Sequence, residues 1–172
     1  GDFKRKGEAV EPGFPAVLNP GPPIDEPDAG AFIPQRRKAL ALWLTSSDQP
    51  LLDRVMVNRI WQHHFGQGIV STPNDFGRQG EPPTHPELLD WLAVEFAERG
   101  WSIKQMHRLI MLSSTYRSSS VGDEADIEKD PYNLYLSRMN RRRLDADALR
   151  DTILAVAGTL NLKMGGVGVI PP

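Results

Sequence analysis

From Pro34 onward, apolar residues recur at three- and four-residue spacing. Leu40, Trp43 and Leu44 share one face, and Ser46-Ser47-Asp48 with Pro50 supplies a stop and a fresh start, so a first helix is predicted over about 35–46. Residues 50–65, wound at a helical period, carry apolar groups on nearly every side: Leu51, Leu52, Val55, Met56, Val57, Ile60, Trp61 and Phe65. A helix of that kind belongs at the centre of a fold. Its polar residues form strips, Arg54-Asn58-Gln62 with Arg59-His63 beside them, and a central position would leave these charges partly buried and in need of partners. Asp75 and Glu81 are the acids expected to neutralise Arg54 or Arg59.

Gly66 and Gly68 end this segment, and 66–83 reads as a long ordered loop punctuated by Pro73, Gly77, Gly80, Pro82 and Pro83. Thr84-His85-Pro86-Glu87 has the form of a capping box ahead of Leu88, Leu92 and Phe96, predicting a third helix over about 85–98. Gly100 ends it. Ser102 with Gln105 forms a second box, so Ile103, Met106 and Ile110 continue as a fourth helix to about 115, and the short link predicts an antiparallel helical pair. The polar stretch 119–130 reads as loop, Pro131–Met139 as a short helix, and Asp145 as the cap of a last helix with Leu149, Ile153, Val156 and Leu160 on one face. The fold class is therefore all-α, about five main helices in an irregular bundle.

Residues 1–34 hold seven of the fifteen prolines and five of the fifteen glycines, and Asn19-Pro20-Gly21-Pro22-Pro23 suits neither a helix interior nor a central strand. They are expected to form an extended connector arm whose apolar groups, Phe14–Leu18 and Ala31–Ile33, dock on a helical domain spanning 35–163. The glycine-rich, apolar tail 164–172 is expected to lie against that domain or to continue into further sequence, the whole being a piece of a longer protein.

At 172 residues and 40% hydrophobic, the chain can bury a core without disulfides or a structural metal. Cysteine is absent, which removes thiol nucleophiles, thiolate zinc sites, iron–sulfur ligands and covalent c-type haem attachment from this chain. Neither a run approaching the roughly 20 apolar residues of a membrane span nor a leader's apolar region is found. The net charge of −2 resides in the arm, with three basic and six acidic side chains up to Ile33. Arg138-Met139-Asn140-Arg141-Arg142-Arg143 concentrates basic charge, but Asp145, Asp147 and Asp151 follow closely, which argues against a nucleic-acid partner.

Candidate chemistry centres on four histidines, His63, His64, His85 and His107, with Asp75 or Glu87. Adjacent His63 and His64 diverge by about 100° on a helix, and no His-x-x-x-His or Glu-x-x-His pair exists, so metal ligands are not assigned and bracing of helix contacts is the plainer role. An alternative is a hydrolytic or metal-assisted enzyme with Asp75, His64 (or His63) and His85 as acid/base or metal groups and Arg59 or Arg78 holding an anionic substrate. As a partner or substrate surface, the polar residues Arg59, His63, Asn74, Arg78 and Glu81 gather on and beside the long loop. Asp75-Phe76-Gly77 copies the kinase magnesium triplet without a phosphate loop before it. The Ser113–Ser120 hydroxyls lack a nucleophile elbow, and Gly165-Gly166-Val167-Gly168 lacks the dinucleotide fingerprint.

The segments Asn58–Gly66, Thr72–Gly77 and Gly80–Leu92 resemble the domain called planctomycete-specific domain one, a family without an assigned reaction. Ser113–Arg117, Arg141–Asp151 and Met164-Gly165-Gly166 resemble further signatures of that family, in order along nearly the whole chain. The resemblance implies a large exported parent of the periplasm or cell envelope, often carrying a cytochrome-c-like module upstream. It places haem in such an upstream domain and offers no catalytic residues to transfer; no cofactor is expected in this chain itself, which has neither cysteine nor a cofactor motif. Partners implied are the upstream domains of the same parent and an external substrate such as carbohydrate. The leading expectation is a non-catalytic accessory or interaction module.

Overall fold

The computed structural model describes residues 7–8, 13–18, 34–46, 49–163 and 165. Most of the expected arm, and the tail residues 164 and 166–172, lie outside the described residues. Every regular element among the described residues is helical: after a 3-10 turn at Ala16–Leu18 come α1 (Pro34–Leu44), α2 (Pro50–Phe65), α3 (Pro86–Glu98), α4 (Ile103–Met111), α5 (Glu124–Lys129) and α6 (Ala146–Val156). The chain separates into two compact units, Gly1–Asn140 and Arg141–Pro172.

In the first unit α2 is the axis, with α3 and α4 packed against it. Pro50 opens it, where a missing N–H costs nothing. Gly66 closes it in the left-handed region at φ 90°, donating its N–H to the Gln62 carbonyl. Val57, Ile60, Trp61 and Phe65 meet Leu89, Leu92 and Phe96 of α3 and Met106 and Ile110 of α4 in one core, which Ile69 and Val70 of the following loop complete. The central helix read from the sequence is therefore present, and in its polar strips Asn58 is fully buried while Arg54 and Gln62 are half-buried. Arg59 and His63 lie on its exposed edge.

Near the start of the unit, the described part of the arm touches the helices at two points. Phe14 stacks on Trp43 at 4.6 Å and 5°, and the Gln49 side chain donates to the Leu18 carbonyl at 2.7 Å.

Local departures from the expected pattern trace to side chains that compete for backbone groups. Thr84 does not cap α3: its N–H and hydroxyl both go to the Ile69 carbonyl, at 2.9 and 3.3 Å, and His85 takes the N-cap position without a capping bond. Ser102 does cap α4, accepting from the Gln105 N–H at 3.3 Å. That helix stops at Met111 and not near 115, because the Ser113 hydroxyl donates to the Ile110 carbonyl (2.6 Å) and accepts from the Tyr116 N–H (3.2 Å). Within the expected loop 119–130, Asp123 accepts from the Ala125 N–H and starts the six-residue α5.

The helix expected at Pro131–Met139 does not form. The Asp130 carboxylate instead accepts the Leu134 and Tyr135 N–H groups at 2.9 and 2.8 Å. Asn133 and Leu136 adopt positive φ, 53° and 54°. The buried Asn133 amide donates to the Arg138 carbonyl and the Asn140 side chain, and Arg138 turns its guanidinium onto the Asp130 and Pro131 carbonyls. In the second unit, Asp145 caps α6 through the Ala148 N–H at 2.7 Å, and the helix ends at Val156, ahead of Gly158 at φ 70°, short of Leu160.

Candidate functional site

Loop 66–83 leaves α2 at Gly66 and is pinned from beneath by one side chain of that helix. Asn58, fully buried, donates from Nδ2 to the Val70 carbonyl at 3.0 Å and accepts from the Val70 N–H at 2.8 Å. An amide reproduces the pairing of a strand neighbour, so both backbone groups of Val70 are satisfied inside an apolar core. The fit needs glycine alongside: a Cβ on Gly68 would stand 2.6 Å from the Val70 carbonyl and 2.7 Å from Asn58 Nδ2.

Further along, Thr72 Oγ1 donates to the Asp75 carbonyl at 2.8 Å and accepts from the Glu81 N–H at 3.0 Å, drawing the two arms of the loop together. Gly80 sits where a Cβ would collide with the Asp75 carbonyl. The Asp75 carboxylate accepts from the Gly77 N–H at 2.8 Å, closing its own turn. Thr84 then returns the chain to Ile69.

This geometry redistributes the residues that the sequence marks for chemistry. Asp75 is a turn-forming group. Neither Asp75 nor Glu81 neutralises the α2 arginines: Arg54 Nε pairs with Asp90 of α3 at 2.7 Å, and Arg59 donates to the Asn74 side chain at 2.9 Å. Asp90 is carried on α3, the helix packed against α2, whereas the Asp75 carboxylate is taken by the Gly77 N–H. His64 binds His107 of α4, Nε2 to Nδ1 at 2.8 Å, with the Tyr116 ring edge-on at 5.3 Å. His85 is occupied by the Thr84 hydroxyl at 2.9 Å and faces the Tyr135 ring at 6.0 Å. Among the described residues no three His, Asp or Glu side chains gather as metal ligands. Arg59, His63, Asn74, Arg78 and Glu81 are all exposed.

Two concavities flank this framework. One, of about 350 Å³, lies between the loop and α3, bounded by Arg54, Phe76, Pro82, Pro83, Leu89 and Asp90. The other, of about 510 Å³, is an apolar groove between α3 and α4, floored by Trp61 and walled by Leu88, Trp91, Leu109 and Leu112. The sequence reading missed this second cavity. Its only signal was the excess of large apolar residues on α3 and after α4, of which Trp91 and Leu112 remain 48% and 61% exposed.

One ionisable group in the unit is moved from its ordinary range by lost hydration. Burial pushes the Asp53 carboxyl up, against the pull of neighbouring Arg54, and its Oδ1 is shut from solvent without a hydrogen-bond partner among the described residues. Asp130 moves the other way, held down chiefly by the Tyr135 N–H, with help from the Leu134 N–H and Arg138.

An all-α domain built on a central helix and a pinned loop is the class that these observations define. Residues 36–172 match the family described as PSD1, protein of unknown function (DUF1553), and the chain belongs to it. No curated protein and no solved structure matches the chain.

Proposed function

We propose that the domain is a non-catalytic accessory module of an exported multidomain protein linked to a cytochrome-c-like domain, and that it presents loop 66–83 as a surface for a partner. The observation that carries this reading is the way the loop is held. Asn58, Thr72 and Asp75 spend their polar atoms on loop backbone, while Arg59, Asn74, Arg78 and Glu81 are left facing solvent. A long loop pays heavily in conformational entropy for such order, and loops fixed on a rigid scaffold commonly carry recognition.

The test is association in trans. The domain and the upstream portion of its parent, expressed as separate chains, are titrated by calorimetry. A complex weakened by the pair Arg78→Ala and Glu81→Ala supports the reading. Absence of a complex, together with near-stoichiometric metal in the purified domain that is lost in His63→Ala and His85→Ala, would overturn it in favour of an enzyme.

A further inference from the structure

The groove between α3 and α4 lies apart from loop 66–83 and has its own chemistry. It is concave, and its volume of about 510 Å³ falls in the range of sites that enclose a small organic molecule. Trp61 forms a floor that is nearly closed to solvent, while Trp91 and Leu112 stand open at the sides. Apolar side chains left open around a recess gain by covering, at roughly 25 cal/mol for each Å² removed from water.

The charged groups at its edge have one sign. Arg99 and Arg108 line the groove and no Asp or Glu does. Arg99 is engaged by Glu95 at 2.6 Å on its own helical turn. Arg108, exposed on α4, has no acidic partner among the described residues. It stands one helical turn from Gln105 and from Leu112, so the cation and the apolar wall share a face. Guanidinium offers two parallel N–H groups, and a carboxylate is the group that accepts both.

We propose that this groove is a binding site for an amphiphilic carboxylate, a small molecule whose apolar body lies against Trp91, Leu109 and Leu112 and whose anionic head is held by Arg108. A neutral molecule with the same body gains the apolar contact alone. A cationic one brings like charge to Arg108.

Calorimetric titration of the chain with decanoate, decanol and decyltrimethylammonium, each below the concentration at which it aggregates, separates these terms. The expected result is one decanoate per chain, bound about tenfold or more tightly than either other molecule. Arg108→Gln should remove that advantage, about tenfold, and leave decanol unchanged. Leu112→Asp should weaken both. Both residues are exposed, and far-UV circular dichroism of the two variants checks that the fold persists.

Equal affinity for the three head groups overturns the proposal, as do many molecules per chain or an Arg108→Gln variant that keeps full decanoate affinity. Light scattering supplies a further arm: a chain that dimerises, becomes monomeric in Leu112→Asp and ignores decanoate has its groove covered by a second copy. None of these results depends on whether loop 66–83 binds a partner.

Discussion

His64 Nε2 and His107 Nδ1 lie 2.8 Å apart and join the middle of the fold, α2 to α4, through a single hydrogen bond between two imidazoles. Such a bond requires one ring to donate and the other to accept. His107→Phe keeps a ring at that position but offers no nitrogen, and is expected to cost about 1 kcal/mol. A double-mutant cycle with His64→Phe, followed by urea unfolding, should return a coupling energy of about 1 kcal/mol. A coupling near zero would show that the two rings brace the helices by packing alone.

Asn58 carries a larger share of the fold. Asn58→Leu preserves bulk in the core but strips both partners from the buried Val70 peptide groups. With two backbone groups left unpaired, the expected loss is about 3 kcal/mol. Limited proteolysis should then cut within 66–83 well before the helices. Equal protection in the variant and the parent chain would mean that Thr72 and Gly80 hold the loop by themselves.

Asp53 sits in the first turn of α2 with Oδ1 shut away and unpaired among the described residues. Because burial raises its folded pKa, the folded chain holds this proton more firmly than the unfolded chain does. The stability it contributes is complete below the unfolded value and is lost as pH rises through the folded one. Asp53→Asn, which cannot ionise, is therefore expected to be the more stable chain at pH 7. The gain is small, since solvent screens this part-exposed group and the loss of a carboxylate from a helix N-terminus offsets part of the desolvation relieved. The gap should close below about pH 4.

How far the sequence foretells this arrangement depends on whether the deciding contact is local. The ends of α2 are readable because Pro50 and Gly66 act on their own neighbours. So is the cap of α6, where Asp145 reaches three residues ahead. The stretch after Asp130 is not, because its apolar spacing suits a helix while one carboxylate captures the Leu134 and Tyr135 amides and leaves Asn133 and Leu136 at positive φ. At the site, Asn58 stands out as a polar residue in an apolar helix, but its partner is a backbone twelve positions away, which no side-chain pattern records. His64 and His107 are 43 positions apart. Only the folded chain turns them from separate candidate ligands into partners of each other.

Asp130 provides the opposite titration. Its carboxylate accepts from the Tyr135 and Leu134 N–H groups, and these bonds favour the charged form, so the folded pKa lies below the unfolded one. Here the stability is present above the ordinary aspartate range and is lost as pH falls through the folded value. Asp130→Asn is expected to be less stable than the parent chain at pH 7, with the difference shrinking once the solution is taken below about pH 4. Asp53→Asn and Asp130→Asn thus depart from the parent chain in opposite directions at neutral pH and both converge on it in acid. Thermal unfolding of the three chains between about pH 3 and 7 reads both at once. If Asp130→Asn matched the parent throughout, the turn at 130–135 would owe its shape to Asn133 and Arg138, and its carboxylate would contribute nothing to folding.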